Sequence, residues 1–302
     1  MSRALGIPTL LLLFFSFPVG RAPGQKAKGQ EDTATSDLQK EVARLREELA
    51  QYAEEMKRLE ESIRLAGQRP DEVAAAGRRI YRASCMACHG ARGDGKGPGA
   101  GPLSPQPRDF GRGTFKWRST PTGSLPLDSD LYRTVSEGVP GTSMPSWKKL
   151  LSPEERWAAI QYVKLFSNRF VTEKPDEPLP ITREPPSTPE SIARGRAIYA
   201  SSKCSECHGD SGKGDGPASP TLRDDTGAPS KAFDFTRGEF RCGSKNADIY
   251  KTFSTGLDGT PMPGYADVIL EKERWALVHY VRSLTRERSF LDYFLRRPTD
   301  PW

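Results

Sequence analysis

From Leu38 to Ile63 apolar side chains recur at alternating intervals of four and three: Leu38, Val42, Leu45, Leu49, Tyr52, Met56, Leu59 and Ile63. An average interval of 3.5 keeps them on one face of a helix, so the pattern predicts a coiled-coil helix over 36–67, with Ser36 or Asp37 as its cap. With Val42, Leu49, Met56 and Ile63 at a, a parallel homodimer would set Glu41 against Arg46, which is favourable, and Glu55 against Glu60, which is not. The seam predicts a coiled-coil partner or a homodimer through 38–63; pairs such as Glu54 with Arg58 would equally support a single solvated helix. Upstream, Arg3, the apolar run Leu10 to Phe17 and the small residues around Gly20-Arg21-Ala22 read as a signal peptide over 1–22. The alternative is a retained membrane anchor, against which Pro8 and Pro18 hold the run well below the roughly 20 residues of a spanning helix.

Beyond Gln68 the polar and apolar pattern repeats once. Gly77-Arg-Arg-Ile-Tyr81 returns as Gly195-Arg-Ala-Ile-Tyr199. Cys85-Met-Ala-Cys88-His89-Gly90 returns as Cys204-Ser-Glu-Cys207-His208-Gly209, each followed by Gly-Asp-Gly, at 93–95 or 214–216. Asp109-Phe110, Phe115-Lys116 and Asp130-Leu-Tyr132 match Asp234-Phe235, Phe240-Arg241 and Asp248-Ile-Tyr250. Gly141-Thr-Ser-Met144-Pro145 matches Gly259-Thr-Pro-Met262-Pro263, and Glu155-Arg-Trp157 and Tyr162-Val163 match Glu273-Arg-Trp275 and Tyr280-Val281. The pattern predicts a helix before each cysteine pair and another after each methionine. No sustained period-two alternation marks a strand, so the expected fold is mainly α. The repeat delimits one domain over 70–172 and a second over 189–285, with a tail over 286–302. Between them 173–188, rich in proline and charge, reads as an extended, semi-rigid linker, and Pro189 stands where a helix start tolerates proline.

Composition adds one constraint. The 302 residues include 28 Gly and 26 Pro, clustered in segments that read as loops, so each domain needs a staple beyond its own apolar core. The net charge of +6 falls to +4 without residues 1–22, which carry Arg3 and Arg21 and no acid. Aromatic residues are not interleaved with basic clusters, which sets nucleic acid aside as a partner.

Cys-x-x-Cys-His, present twice, is the attachment sequence of c-type haem. Two thiols separated by two residues can bond the two vinyl-derived carbons on one porphyrin edge while the adjacent histidine turns under the ring to the iron. A redox dithiol would not need the histidine, and a zinc site would need more ligands than three His and five Cys readily supply twice. The expected cofactors are therefore two covalently bound haem c groups, on Cys85 and Cys88 and on Cys204 and Cys207, with His89 and His208 on the irons. Of five methionines, Met1 is the initiator, Met56 lies in the heptad seam and Met86 sits inside the first attachment loop. Met144 and Met262 remain as sixth ligands, 55 and 54 residues after their histidines. A thioether favours ferrous iron and raises the reduction potential; the alternative is a pair of core methionines packed on aromatic rings.

On these motifs both copies resemble class I cytochromes c, and residues 70–285 are similar to the tandem, dihaem members of that superfamily. The resemblance implies that an N-terminal and a C-terminal helix cross at a glycine and an aromatic residue, with Gly77 and Tyr81 meeting Trp157 and Tyr162, and Gly195 and Tyr199 meeting Trp275 and Tyr280. It also implies that each domain folds around its haem, which supplies the missing staple. Cys242 has no duplicate, aligning with Trp117; it is expected to be a buried thiol, or else a competitor of Met262 for iron. His279 aligns with Gln161 and is expected at the surface or in packing. Lys116, Arg118 and Arg241 are candidates to pair with haem propionates.

The implied function is electron transfer between respiratory redox partners, without catalysis, by a free carrier or a subunit that the heptad helix fixes to a respiratory complex. The rivals are dihaem oxidoreductases: a peroxidase-like enzyme, which needs one open iron, and a thiosulfate-dehydrogenase-like enzyme, which needs Cys242 on iron. The leader predicts export to the periplasm, with membrane association only if it is retained as an anchor.

Overall fold

The computed structural model describes residues 39–47, 49–50 and 70–285. The expected signal peptide, most of the heptad segment and the tail lie outside the described residues. Residues 39–47 and 49–50 are helical and expose Val42, Leu45 and Leu49 by 40, 45 and 69%, with Arg44 paired to Glu41 at 2.7 Å. They belong to a compact unit of their own, Met1–Ser62; the helices that follow all lie in a second unit, Ile63–Trp302.

The helices of the second unit are α1 (Pro70–Ile80), α2 (Met86–His89), α3 (Asp128–Glu137), α4 (Pro153–Lys164), α5 (Arg169–Thr172), α6 (Pro189–Ser201), α7 (Ser205–His208), α8 (Asn246–Thr255) and α9 (Glu271–Ser283). A π-helical turn, Tyr81–Cys85, joins α1 to α2. Among the described residues β-structure is limited to one isolated bridge, Arg223 with Pro229. Local chemistry sets the helix starts. At α4 the Ser152 hydroxyl accepts from the Glu155 N–H at 3.2 Å, the Glu155 carboxylate accepts from the Ser152 N–H at 2.8 Å, and proline opens the first turn. Thr188 caps α6 in the same way, ahead of Pro189.

The expected crossing forms twice, through glycine. A Cβ on Gly77 would collide with the Ala158 carbonyl oxygen and stand 2.8 Å from Tyr162 Cβ; on Gly195 it would collide with the Ala276 carbonyl and stand 2.7 Å from Tyr280 Cβ. Only hydrogen fits where α1 meets α4 and α6 meets α9. Tyr81 and Tyr162 rings pack at 5.4 Å, and Tyr199 and Tyr280 at 5.2 Å. The tryptophans differ from expectation. Trp157 packs on Tyr132 at 6.2 Å and Trp275 on Tyr250 at 4.4 Å, so they fasten α4 to α3 and α9 to α8. Residues one apart on a helix point about 100° away from each other, so Trp157 is turned toward α3 while Ala158 meets Gly77.

The two copies are joined by charge. Arg118 is fully buried; its guanidinium donates to the carbonyls of Phe115, Pro121 and Thr255 and pairs with Asp258 at 2.8 Å. Arg133 donates to the Asp248 carboxylate at 2.6 Å and to the Cys242 carbonyl at 3.1 Å, and Arg112 pairs with Asp225 at 3.1 Å. Arg118 is thus committed to this joint through all three guanidinium nitrogens. The segment over 173–188 has no helix or strand, yet it is fastened at intervals. The Leu179 N–H donates to the Ser119 carbonyl at 2.8 Å, Thr182 accepts from the Trp275 indole at 3.0 Å, and Glu184 accepts from Asn246 at 2.6 Å.

Candidate functional site

Each cysteine pair lies where the first helix of its copy ends, and Cys85 and Cys204 each pack against the core of their own copy. All five cysteines are free thiols. Burial pushes Cys85 and Cys204 up to about 11 and raises Cys207, so these sulfurs are neutral at pH 7.

The histidines are held identically. His89 Nδ1 lies 3.2 Å from the Arg108 carbonyl oxygen and His208 Nδ1 3.0 Å from that of Phe233. A carbonyl only accepts, so Nδ1 carries the proton and Nε2 presents its lone pair. Burial lowers both imidazole pKa values, which keeps the rings neutral. Phe110 stacks on His89 at 4.5 Å and Phe235 on His208 at 4.4 Å, fixing each ring plane. Behind them the Tyr81 hydroxyl donates to the Gly90 carbonyl at 2.7 Å and Tyr199 to Gly209 at 2.6 Å, tying the first helix to the turn after each histidine.

The glycines of that turn correct the alignment read from sequence. Gly95 and Gly214 both donate to the histidine carbonyl, at 3.0 and 2.8 Å, and Gly97 and Gly216 both donate to that of the second cysteine, at 3.1 and 3.2 Å. Gly95 therefore answers to Gly214, two residues off the Gly-Asp-Gly match. Asp94 and Asp215 stand at different chain positions, yet each carboxylate occupies the space that a Cβ on Gly90 or Gly209 would need.

The methionine loops are superposable in their hydrogen bonds. Val139 N–H donates to the Met144 carbonyl at 3.1 Å and Leu257 N–H to that of Met262 at 3.0 Å, while Thr142 and Thr260 hydroxyls accept from the methionine N–H groups at 3.1 and 3.3 Å. A buried arginine supports each loop: Arg156 donates to the Ser136 hydroxyl and lies over Tyr132 at 4.7 Å, and Arg274 donates to Ser254 at 2.7 Å and lies over Tyr250 at 5.0 Å. Met262 and Cys204 pack on one core; Met144 is half-buried outside the first core cluster. Cys242 packs on the second core, its thiol pushed up to about 11 by burial. His279 is buried, not at the surface, with Nδ1 2.9 Å from Ser191 Oγ and Nε2 3.2 Å from Glu184.

Sequence reasoning paired the Asp-Phe and Glu-Arg-Trp segments but missed their work: the phenylalanines stack on the histidines and the arginines brace the methionine loops. Two thiols, an imidazole with Nε2 open and a thioether loop form a donor set that fits a covalently attached iron porphyrin. It does not suit zinc, for among the described residues no three His, Cys, Asp or Glu side chains converge.

The family model for cytochrome c oxidase, cbb3-type, subunit III matches residues 72–163, and that for cytochrome c matches residues 192–285. A curated relative, the cbb3-type cytochrome c oxidase subunit CcoP of Azospirillum sp. (strain B510), is 23% identical over 222 residues, or 70% of this chain; the match spans 62% of that relative's length. A solved chain of the Kuenenia stuttgartiensis reducing HAO-like protein complex is 42% identical, with a TM-score of 0.68, over 70% of this chain and 96% of that one. With that identity sustained across nearly the whole Kuenenia chain, and a cytochrome model on each copy of the repeat, this chain belongs to the haem-binding cytochrome family related to cbb3-type oxidase subunits.

Proposed function

We propose that the chain is a dihaem c-type cytochrome that passes electrons within a multi-subunit respiratory or redox complex on the periplasmic side of the membrane. In this reading Cys85 and Cys88 hold one haem and Cys204 and Cys207 the other. His89 and Met144 close the first iron, and His208 and Met262 the second, in two tandem cytochrome c domains over 70–172 and 189–285. The observation that carries it is the matched holding of the two histidines, each tied through Nδ1 to a backbone carbonyl and stacked on a phenylalanine. The curated relative is an oxidase subunit and the solved relative is part of a complex, which supports a role as a subunit. No helix among the described residues is long and apolar enough to cross a membrane.

When bound, each haem supplies a one-electron couple; the polypeptide supplies its setting. The carbonyls of Arg108 and Phe233 hold the histidine protons and make Nε2 the stronger donor. The aromatic rings behind each histidine exclude water and favour the ferrous state. The glycine crossings keep the helices from shifting between oxidation states, which limits reorganisation.

Absorption and magnetic circular dichroism of the holoprotein in both oxidation states test the assignment. Histidine/methionine charge-transfer bands at both irons, with no carbon monoxide bound on reduction, are expected. A thiolate or high-spin signature at one iron overturns the carrier reading for that domain and moves attention to Cys242 or to an open iron.

A further inference from the structure

The two methionine loops match in their internal hydrogen bonds and differ in what holds them from outside. Residues 118–123 of the first copy grip the Met262 loop of the second. The Arg118 guanidinium and the Thr122 hydroxyl both donate to the Thr255 carbonyl, at 2.7 and 2.9 Å, just ahead of the loop. Within the loop the Asp258 carboxylate pairs with Arg118 at 2.8 Å and accepts from the Gly123 N–H at 3.0 Å. Asp258 follows Leu257, whose own N–H donates to the Met262 carbonyl. The gripping segment is itself fixed: the Thr120 hydroxyl donates to the Leu125 carbonyl at 2.8 Å, and Arg169 to that of Gly123 at 2.8 Å. The Arg118 side chain is 0% exposed and that of Asp258 9%, so water screens their attraction little.

Differences between the copies fall on this contact. Thr255, Asp258 and Gly264 stand where the first copy has Glu137, Pro140 and Ser146. The Ser146 hydroxyl serves its own copy, donating to the Ser136 carbonyl at 2.6 Å. At Gly264 a Cβ would stand 2.5 Å from the Thr122 hydroxyl, so the glycine makes room for a donor from the other copy. Glu137 is exposed and pairs with Lys148 of its own copy at 3.5 Å, and the Pro140 ring has no oxygen to accept a hydrogen bond. Among the described residues no hydrogen bond from the second copy reaches 137–146. Nothing lies within 4 Å of a Cβ on Gly141, whereas one on Gly259 would stand 3.0 Å from the Arg108 guanidinium of the first copy.

We propose that residues 118–123 clamp the Met262 loop, with Arg118 and Thr122 as positioning residues, so that Met262 resists displacement from its iron while Met144 gives way first. This rests on the dihaem, histidine/methionine reading. A thioether is a weak ligand, and it leaves when its loop swings outward. Every hydrogen bond that must break first lowers the population of the opened loop. The first copy is then the one that admits a small exogenous ligand, and the second keeps its own.

Imidazole titration of the ferric holoprotein, followed by the methionine-to-iron charge-transfer band, is the test. The band is expected to disappear in two equal steps, the second at imidazole concentrations about tenfold higher or more. Met144→Leu should remove the first step and leave the second. Thr122→Val replaces the hydroxyl with a methyl of similar size; it should lower the second midpoint by about threefold and leave the first in place. Thr122→Ser should restore the wild-type midpoint. A single step, Met144 on the later step, or a Thr122→Val shift at both midpoints or at neither overturns the clamp. If Thr122→Val does not retain both haems by intact mass, Asp258→Asn is read by the same criterion. A wild-type chain that lacks the band at either iron sinks the histidine/methionine reading itself, whereas bands at both irons with equal midpoints sink only the clamp.

Discussion

The two copies hold their histidines alike and fill their interiors differently. The second buries fourteen apolar residues in one cluster, the first five. In the first copy Phe166 covers Gly93, and rings at Tyr81, Phe110, Tyr162 and Phe166 lean on one another at 5.0 to 6.5 Å; in the second, Leu284 covers the equivalent Gly212. The second copy also gains the covering segment around Thr182 and Glu184. What survives duplication is the small set of backbone contacts that holds a histidine; the packing behind it is free to diverge, because volume can be made up by many combinations of side chains.

The largest expected effect comes from removing attachment. Cys85→Ser with Cys88→Ser, or Cys204→Ser with Cys207→Ser, should each lower covalent haem from two to one per chain by intact mass. Far-ultraviolet circular dichroism then separates the copies: the first pair should lose more helix, since its small core depends more on the haem. Equal losses would show that core size does not matter. Next comes Arg118→Ala, which leaves Asp258 with the Gly123 N–H but no charged partner and takes a donor from the carbonyls of Phe115, Pro121 and Thr255. Breaking a buried pair costs about 3–5 kcal/mol, and a single urea transition should separate into two. A transition that stays single would mean that the copies are held together elsewhere. Smaller is Gly195→Ala or Gly77→Ala, where the added methyl meets backbone that cannot turn aside; each should cost about 1–3 kcal/mol in urea unfolding.

Much of this architecture is legible in the chain. The Cys-x-x-Cys-His motifs, the methionine loops and the glycine of each crossing are local signals, and duplication prints each of them twice. The joint is not legible: Arg118 and Asp258 are 140 positions apart, and nothing near either distinguishes a buried partner from a solvated charge. Nor are the carbonyls of Arg108 and Phe233, because a backbone acceptor leaves no trace in side-chain identity. The Gly-Asp-Gly match failed for a related reason. Glycines at equal distances from the histidine do equal work, while the aspartate reaches the same space from either of two positions. The packing of the tryptophans on Tyr132 and Tyr250 was not foreseen, because a repeated Glu-Arg-Trp segment does not say which face of the helix each residue takes.

The smallest effect tests the cover that only the second copy wears. The Trp275 indole donates to the Thr182 hydroxyl at 3.0 Å, and Trp275 is 2% exposed, so water has little access to replace that acceptor. Thr182→Val keeps the side-chain shape and removes only the oxygen. The lost bond should cost about 0.5–1.5 kcal/mol, too little to unfold the domain but enough to speed hydrogen exchange locally. Amides of α9 should exchange up to about tenfold faster at a cost of 1.4 kcal/mol, while those of α4, the equivalent helix of the first copy, keep their rates. Acceleration in both helices would mean that the segment steadies the joint rather than the second core, and that the difference between the copies arises in their interiors alone.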